Sequence, residues 1–359
     1  YAALDADSEG KEGKYYVWSE DEINTILGDR AGLIKKYFNT GKNGNWEGQN
    51  ILHRIISDED FSQLNGLELN QLDEIKKKAI DKLNKIRAQR VGPGLDNKIL
   101  AGWNGLLLSG FCDAYAAFGK DKFLELANQS GNFLVKHLMI KGKLYRLRKN
   151  KKQLVEGVLE DFAFVIEGFI KLYQVSFEEN WLIRAENLMR YALDNFYDKQ
   201  NDYFYYTDKT ATPLIVRKKE LFDNVIPSSN SAMAKNLHFL GLILDRQDFK
   251  ELSTKMLLKT YDLIAKEPQH LSNWAQLLLH QIKPAAEIAI IGPEAHELKR
   301  DLLKKYTPNS ILMGTISSSK FPLLRDKIMV DNKTTIYVCF NKTCKLPVHT
   351  VDEALKQLM

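Results

Sequence analysis

With 359 residues, 44% of them apolar and 27% charged, the chain has the composition of a globular protein with a sizeable core, enough for one large domain or two. A net charge of +5 is small, and the lysine clusters Lys76-Lys77-Lys78 and Lys149-Asn150-Lys151-Lys152 carry no interleaved aromatics, which argues against nucleic acid as a partner. No run of about 18 apolar residues occurs, so nothing reads as a membrane-spanning helix.

The chain opens at Tyr1 with neither Met nor a signal peptide, and so reads as a processed product or a piece of something longer. Residues 1–18 are loop-rich up to a strand-like Lys14-Tyr15-Tyr16-Val17-Trp18. Ser19 and Glu22 form a capping box for a helix over Glu20–Leu27. Tyr37–Leu52 is rich in Gly and Asn and reads as a long loop. A polar helix spans roughly Asp58–Arg90, with a break at Gly66 and a stop at Val91-Gly92-Pro93-Gly94.

From Trp103 to about Ile282 the pattern is helical, with stripes such as Leu124, Ala127, Phe133, Leu134 and Leu138 on one face. Three helix starts carry the same kind of polar clasp: Trp103-Asn104-Gly105, Glu160-Asp161-Phe162-Ala163 and Pro227-Ser228-Ser229-Asn230-Ser231. Aligned at Asn104, Asp161 and Asn230, they are spaced 57 and 69 residues apart, hairpin-sized units with variable loops. Short extended pieces, Lys143–Arg146 and Tyr203–Thr207, lie between helices. Past Pro284 strands alternate with helices: strand Glu287–Gly292, helix His296–Tyr306, strands Ser310–Gly314 and Thr334–Phe340, helix Val351–Met359. That alternation predicts a small α/β layer with at least one parallel strand pair. Residues 1–283 have room for six hairpins of about 47 residues. The expected fold is therefore mainly α, an (α/α)6 toroid over 1–283 (six-hairpin glycosidase-like) followed by a small α/β subdomain over 284–359.

The clasps carry the candidate chemistry. Glu160 and Asp161 are adjacent carboxylates. With Asp161 as helix N-cap its pKa falls in the helix dipole, while Glu160 points elsewhere, and two acids in different environments suit glycosidic acid/base catalysis. Capping alone also accounts for Asp161. Asp96 and Lys98 flank a loop feeding Trp103, whose face suits a sugar ring. The plainer alternative is an Asp96–Lys98 pair with Asn104 capping the helix. Arg217, Asp223, Ser228 and Asn230 form a third cluster, with Asp223 a secondary acid or part of an ordinary turn.

Asp5-Ala6-Asp7-Ser8-Glu9-Gly10 imitates the start of a calcium loop, but Tyr16 stands where the bidentate Glu belongs. The stretch reads instead as an acidic turn or as carboxylates, Asp7 among them, presented at a cleft. The histidines show no ligand spacing, and His238 and His280 sit in apolar helices, so neither a metal nor another cofactor is expected. There is no Gly-x-Ser-x-Gly elbow. Cys339 and Cys344 lack the spacing of a redox pair and read as structural. Three cysteines make no disulfide framework, which favours a reducing, cytoplasmic location.

The set Ala3-Leu4-Asp5-Ala6-Asp7-Ser8-Glu9-Gly10, Tyr16-Val17-Trp18, Gly44-Asn45-Trp46-Glu47-Gly48, Asp96-Asn97-Lys98-Ile99-Leu100 and the three clasps resembles the spermatogenesis-associated, thioredoxin-domain-containing family. The tail Val338-Cys339-Phe340-Asn341-Lys342-Thr343-Cys344-Lys345-Leu346-Pro347 resembles that family's end. Members usually carry an N-terminal thioredoxin-like domain, and this chain starts where that domain would finish. The resemblance therefore implies a six-hairpin, glycosidase- or sugar-epimerase-like part, with a thioredoxin-like domain as a partner in a longer protein. No histidine lies in the clasps, which weighs for the hydrolase-like version. On this reading Glu160, Asp161, Asp96 and Asp223 are the acids, and Trp46, Glu47, Lys98, Trp103, Asn104, Arg217, Ser228, Asn230 and Asp7 bind a sugar or other polar small molecule. The alternative is a non-catalytic regulatory or interaction module.

Overall fold

The computed structural model describes residues 1–148, 154–212 and 215–358. The lysine cluster at 149–152 lies outside them. The chain divides into two compact units, Tyr1–Asn97 and Lys98–Met359.

In the first unit a β-hairpin, β2 (Asp7–Ser8) and β3 (Lys11–Glu12), turns at Glu9 and Gly10, both at positive φ. The calcium-like stretch is thus half strand and half turn. β1 (Ala3–Leu4) pairs antiparallel with β4 (Leu95–Asp96). Trp18 forms only an isolated bridge to Asn50, and the residues before it are turns, so the strand expected over Lys14–Trp18 does not form. Instead Trp18 is buried against Ile23, Leu27, Ala31, Ile34, Ala79 and Leu83.

Helix α1 (Glu20–Leu27) starts as its sequence dictates, with Ser19 Oγ accepting from Glu22 N–H and the Glu22 carboxylate accepting from Ser19 N–H. α2 (Ala31–Tyr37) follows. The long polar helix is two pieces, α3 (Asp58–Asn65) and α4 (Leu69–Arg87), because Gly66 takes the left-handed conformation that ends α3.

The second unit is built of three helical hairpins: α5 (Ala101–Phe118) with α6 (Asp121–Leu138), α7 (Leu159–Ser176) with α8 (Asn180–Asn195), and α9 (Ser229–Ile243) with α10 (Gln247–Lys266). They are the three repeats legible in the sequence. Helix α11 (Ser272–Ile282) comes next. The first helices stand side by side in the order α5, α7, α9, α11. Between hairpins lie β5 (Met139–Ile140), β6 (Lys143–Arg148) and β7 (Leu154–Glu156), then β8 (Tyr197–Asp198) and β9 (Tyr203–Phe204).

Helix α7 is buried along almost its whole length, and the core gathers on Phe162, Phe164, Phe169, Leu172 and Tyr173 with Leu237 and Trp274. Burial of this scale is the main stabilising term. The contact between α5 and α7 is very close. A Cβ added at Gly105 would lie 2.6 Å from the Phe164 carbonyl carbon, and one at Gly168 would lie 2.9 Å from Leu108 Cδ2.

The tail is the predicted α/β layer. β10 (Ala286–Ile291) is central, parallel to β11 (Ser310–Thr315) and antiparallel to β12 (Thr335–Phe340), which pairs with β13 (Thr343–Cys344). α12 (Ala295–Leu303), the short α13 (Pro322–Arg325) and α14 (Val351–Leu358) complete it. Cys339 and Cys344 face each other across β12 and β13 and form a disulfide. This corrects the inference drawn from cysteine count: one disulfide needs only two cysteines in register, so the three cysteines do not by themselves argue for reducing conditions. Cys112 is free and buried, and burial pushes its thiol up to about 12.

Candidate functional site

Two of the three clasps are wired alike, by one buried aspartate each. Asp161 is fully buried, and it is not the N-cap of α7. It sits at the third helical position and reaches back, Oδ2 accepting from Val158 N–H at 3.0 Å. Its Oδ1 accepts from Gly102 N–H at 2.8 Å, in the first turn of α5. Helix α5 therefore needs no cap of its own. It starts at Ala101 after Leu100, and Asn104, expected as its cap, instead lies inside the helix with its side-chain amide donating to Leu100 C=O at 2.8 Å.

Asp223 does the same work one step on. Oδ1 accepts from Ser228 N–H at 2.8 Å and from the Ser231 hydroxyl at 3.1 Å, and Oδ2 accepts from Asn273 N–H at 2.8 Å in the first turn of α11. Ser228 is the true N-cap of α9, accepting from Ser231 N–H. Asn230 lies in the helix and clamps β9: it accepts from Phe204 N–H at 2.7 Å and donates to the carbonyls of Phe204 and Glu220. All these groups are buried donors and acceptors with partners, as interiors require.

Glu160, one residue before Asp161, accepts from Arg146 Nη1 at 2.9 Å and from the Tyr206 hydroxyl at 3.2 Å. The same Arg146 nitrogen lies 3.2 Å from Asp161 Oδ2, so the two acids share one guanidinium. Burial raises the Asp161 pKa against the pull of Arg146, opposite to the lowering expected from a helix dipole alone. Burial and the Glu160 charge raise that of Tyr206.

Arg217 donates to Thr207 C=O and stacks 4.1 Å over the Tyr205 ring. Trp103, in the first turn of α5, is 44% exposed. Asp7, Trp46, Glu47 and Asp96 belong to the first unit and Lys98 to the second. Asp7 and Glu47 are exposed, and Trp46 is half-buried with its ring against Gly13. Among the described residues no group of His, Cys, Asp and Glu is placed to hold a metal ion, and no helix is long and apolar enough to cross a membrane.

The open space lies elsewhere. A cavity of about 710 Å³ is bounded by α5, α7, α9, α11, the end of α12 and the start of β11. Asp113, Glu167, Lys171, Gln174 and Lys235 bring polar groups to it, and Ile170, Phe239 and Tyr306 supply apolar wall. Lys171 Nζ is 2.7 Å from Asp113 Oδ2 and 3.9 Å from Glu167 Oε1. Lys235 Nζ donates to Asn273 Oδ1 at 2.8 Å and Gln276 Oε1 at 3.0 Å. Burial lowers the Lys235 pKa, with Glu167 acting against that shift and Lys171 with it.

None of the acids or binders taken from the clasps lines this cavity. The signal for it was present in α7: past Asp161 the helix is buried except at Glu167, Lys171 and Gln174, spaced four and three residues apart on a single face.

The molecule is thus a mainly helical protein of side-by-side hairpins followed by an α/β layer, with a ligand-sized cavity against its central helices. Over its full length it is a homologue of Spermatogenesis-associated protein 20: it is 29% identical to the Mus musculus protein and 28% to the Homo sapiens one, covering 100% of this chain but 51% and 52% of theirs. The chain spans about half the length of the curated relatives it matches. No protein-family model matches it. Among solved structures it resembles a GH76 α-mannanase of Bacteroides thetaiotaomicron, with a TM-score of 0.43 and 11% identity, covering 83% of this chain and 90% of that one. It also resembles a cellobiose 2-epimerase of Bacillus thermoamylovorans, with a TM-score of 0.40 and 15% identity, covering 48% of this chain and 46% of that one.

Proposed function

We propose that the helical-hairpin unit binds a sugar or another polar small molecule in the cavity between α5, α7, α9 and α11. The observation that carries this reading is the cavity itself: about 710 Å³, within the usual range for small-molecule sites, with a few convergent polar groups on an otherwise apolar wall. Sugars need both kinds of surface, hydroxyl partners and a flat apolar face. Glu167, Gln174 and Lys171 offer the first and Phe239 the second.

Of the two carboxylates at the cavity wall, Asp113 lies 2.7 Å from Lys171 and Glu167 3.9 Å from it, so Glu167 is the less engaged and takes the place of Glu160 and Asp161 in any acid/base role. Asp161 and Asp223 are assigned as clasps because their oxygens already accept from helix-start N–H groups. A toroid over residues 1–283 with an α/β subdomain over 284–359 is part of the same proposal, supported by three consecutive hairpins whose first helices stand side by side.

The test is a thermal-shift and calorimetric screen of mono- and disaccharides against the full chain and against Glu167→Gln and Phe239→Ala. Saturable binding that both variants weaken supports the reading. Binding that neither variant changes, or none at all, would sink it.

A further inference from the structure

The charges around the cavity do not balance. Four lysines reach it, Lys171, Lys235, Lys304 and Lys305, against two carboxylates, Asp113 and Glu167. Both carboxylates face Lys171, at 2.7 and 3.9 Å. Lys304 has its own partner in Asp301, at 2.7 Å. Among the described residues Lys235 has no carboxylate within salt-bridge distance, and its two hydrogen-bond partners are the neutral amide oxygens of Asn273 and Gln276.

An ammonium has three N–H donors, and two of those on Lys235 are accounted for. A half-buried cation whose direct contacts are neutral amides, with Glu167 acting only at longer range, is incompletely compensated, and a ligand oxyanion would relieve that cost. Lys235 is held in place by the α11 amides, so it is positioned before any ligand arrives, which lowers the ordering cost of binding.

We propose that the ligand of this cavity is an acidic sugar, a monosaccharide-sized molecule whose oxyanion, carboxylate or phosphate, sits on Lys235 while its neutral hydroxyls face Glu167 and Gln174. The inference rests on the sugar-binding reading above and adds the charge of the ligand to it. Lys305, on the loop after α12, adds attraction at longer range that salt screens.

The experiment measures affinity of the full chain for four probes, glucose, glucuronate, glucose 6-phosphate and inorganic phosphate, at low and at physiological salt. Both acidic sugars, or one of them, should bind at least tenfold more tightly than glucose, and the preferred one tells carboxylate from phosphate. Lys235→Met should remove that advantage, whereas Lys235→Arg should keep most of it. Should Lys235→Met fail to fold, Lys305→Met on the exposed loop reports on the same field through a weaker salt dependence.

Equal affinity for glucose and the acidic sugars would overturn the anionic inference and leave sugar binding standing. Inorganic phosphate binding as tightly as glucose 6-phosphate, with glucuronate no better than glucose, would overturn the sugar part. No binding by any probe overturns both.

Discussion

Asp161 Oδ1 accepts a hydrogen bond from Gly102 N–H at 2.8 Å, so a carboxylate on α7 supplies the missing cap of α5. The same carboxylate holds the Val158 N–H of its own helix and lies beside Arg146. One buried acid thus ties two neighbouring helices at their starts, and Asp223 repeats the device between α9 and α11.

Removing that acid strands its partners. Asp161→Ala leaves two backbone N–H groups without acceptors and takes one counter-charge from Arg146, and is expected to destabilise the chain by on the order of 3–5 kcal/mol. Urea denaturation followed by circular dichroism checks this; a loss under about 1 kcal/mol would mean the clasp is dispensable. Asp161→Asn keeps an acceptor oxygen for Gly102 and should cost less than Ala.

Glu160 is a different case, because its oxygens meet Arg146 and Tyr206 and it does not line the cavity. Glu160→Gln should lower stability modestly, by about 1–2 kcal/mol, and leave ligand affinity in the cavity unchanged. A loss of sugar binding with stability intact would return Glu160 to the site.

Two glycines of α5 should respond in opposite directions to alanine. At Gly105 the new methyl would press on the α7 backbone at 2.6–2.7 Å, which backbone atoms cannot yield without moving the helix. At Gly110 nothing lies within 4 Å. Gly105→Ala is expected to cost on the order of 1–3 kcal/mol, whereas Gly110→Ala gains roughly 0.5–1 kcal/mol from helix propensity. Melting temperatures of the pair settle the matter, and equal shifts would contradict the close helix contact.

His238 gives the fold an acid limit. Its Nε2 is buried with no hydrogen-bond partner among the described residues, it stacks near His280 at 6.2 Å between ring centroids, and burial, then the charges of His280 and Lys250, lowers its pKa from 6.5 to about 4. Above pH 6.5 both folded and unfolded forms are neutral there. Between 6.5 and 4 the unfolded chain binds the proton and the folded one does not, so stability falls as pH drops through that window. The contribution of this group is at most on the order of 3 kcal/mol. His238→Phe should flatten the decline, measured as urea midpoints from pH 7 to 4; an unchanged slope would exclude His238 as its source.

What was legible in the sequence was local. The Ser19–Glu22 box, the break at Gly66, the three hairpins and the strand–helix alternation after Pro284 all follow from signals a few residues apart, because capping, left-handed glycines and amphipathic periodicity act over one or two turns. The clasps were also visible as polar helix starts.

Their roles were not visible, because the deciding partners are far along the chain. Asp161 meets Gly102 across 59 residues, and Asp223 meets Asn273 across 50. Asn104 therefore reads as a cap until the packing of α7 against α5 supplies one from outside. Cys339 and Cys344 needed only strand register to join. The cavity is the most non-local feature of all. Asp113 on α5, Glu167, Lys171 and Gln174 on α7 and Lys235 on α9 each hold an ordinary position in their own helix, and only the side-by-side packing of those helices beside the end of α12 turns them toward one space.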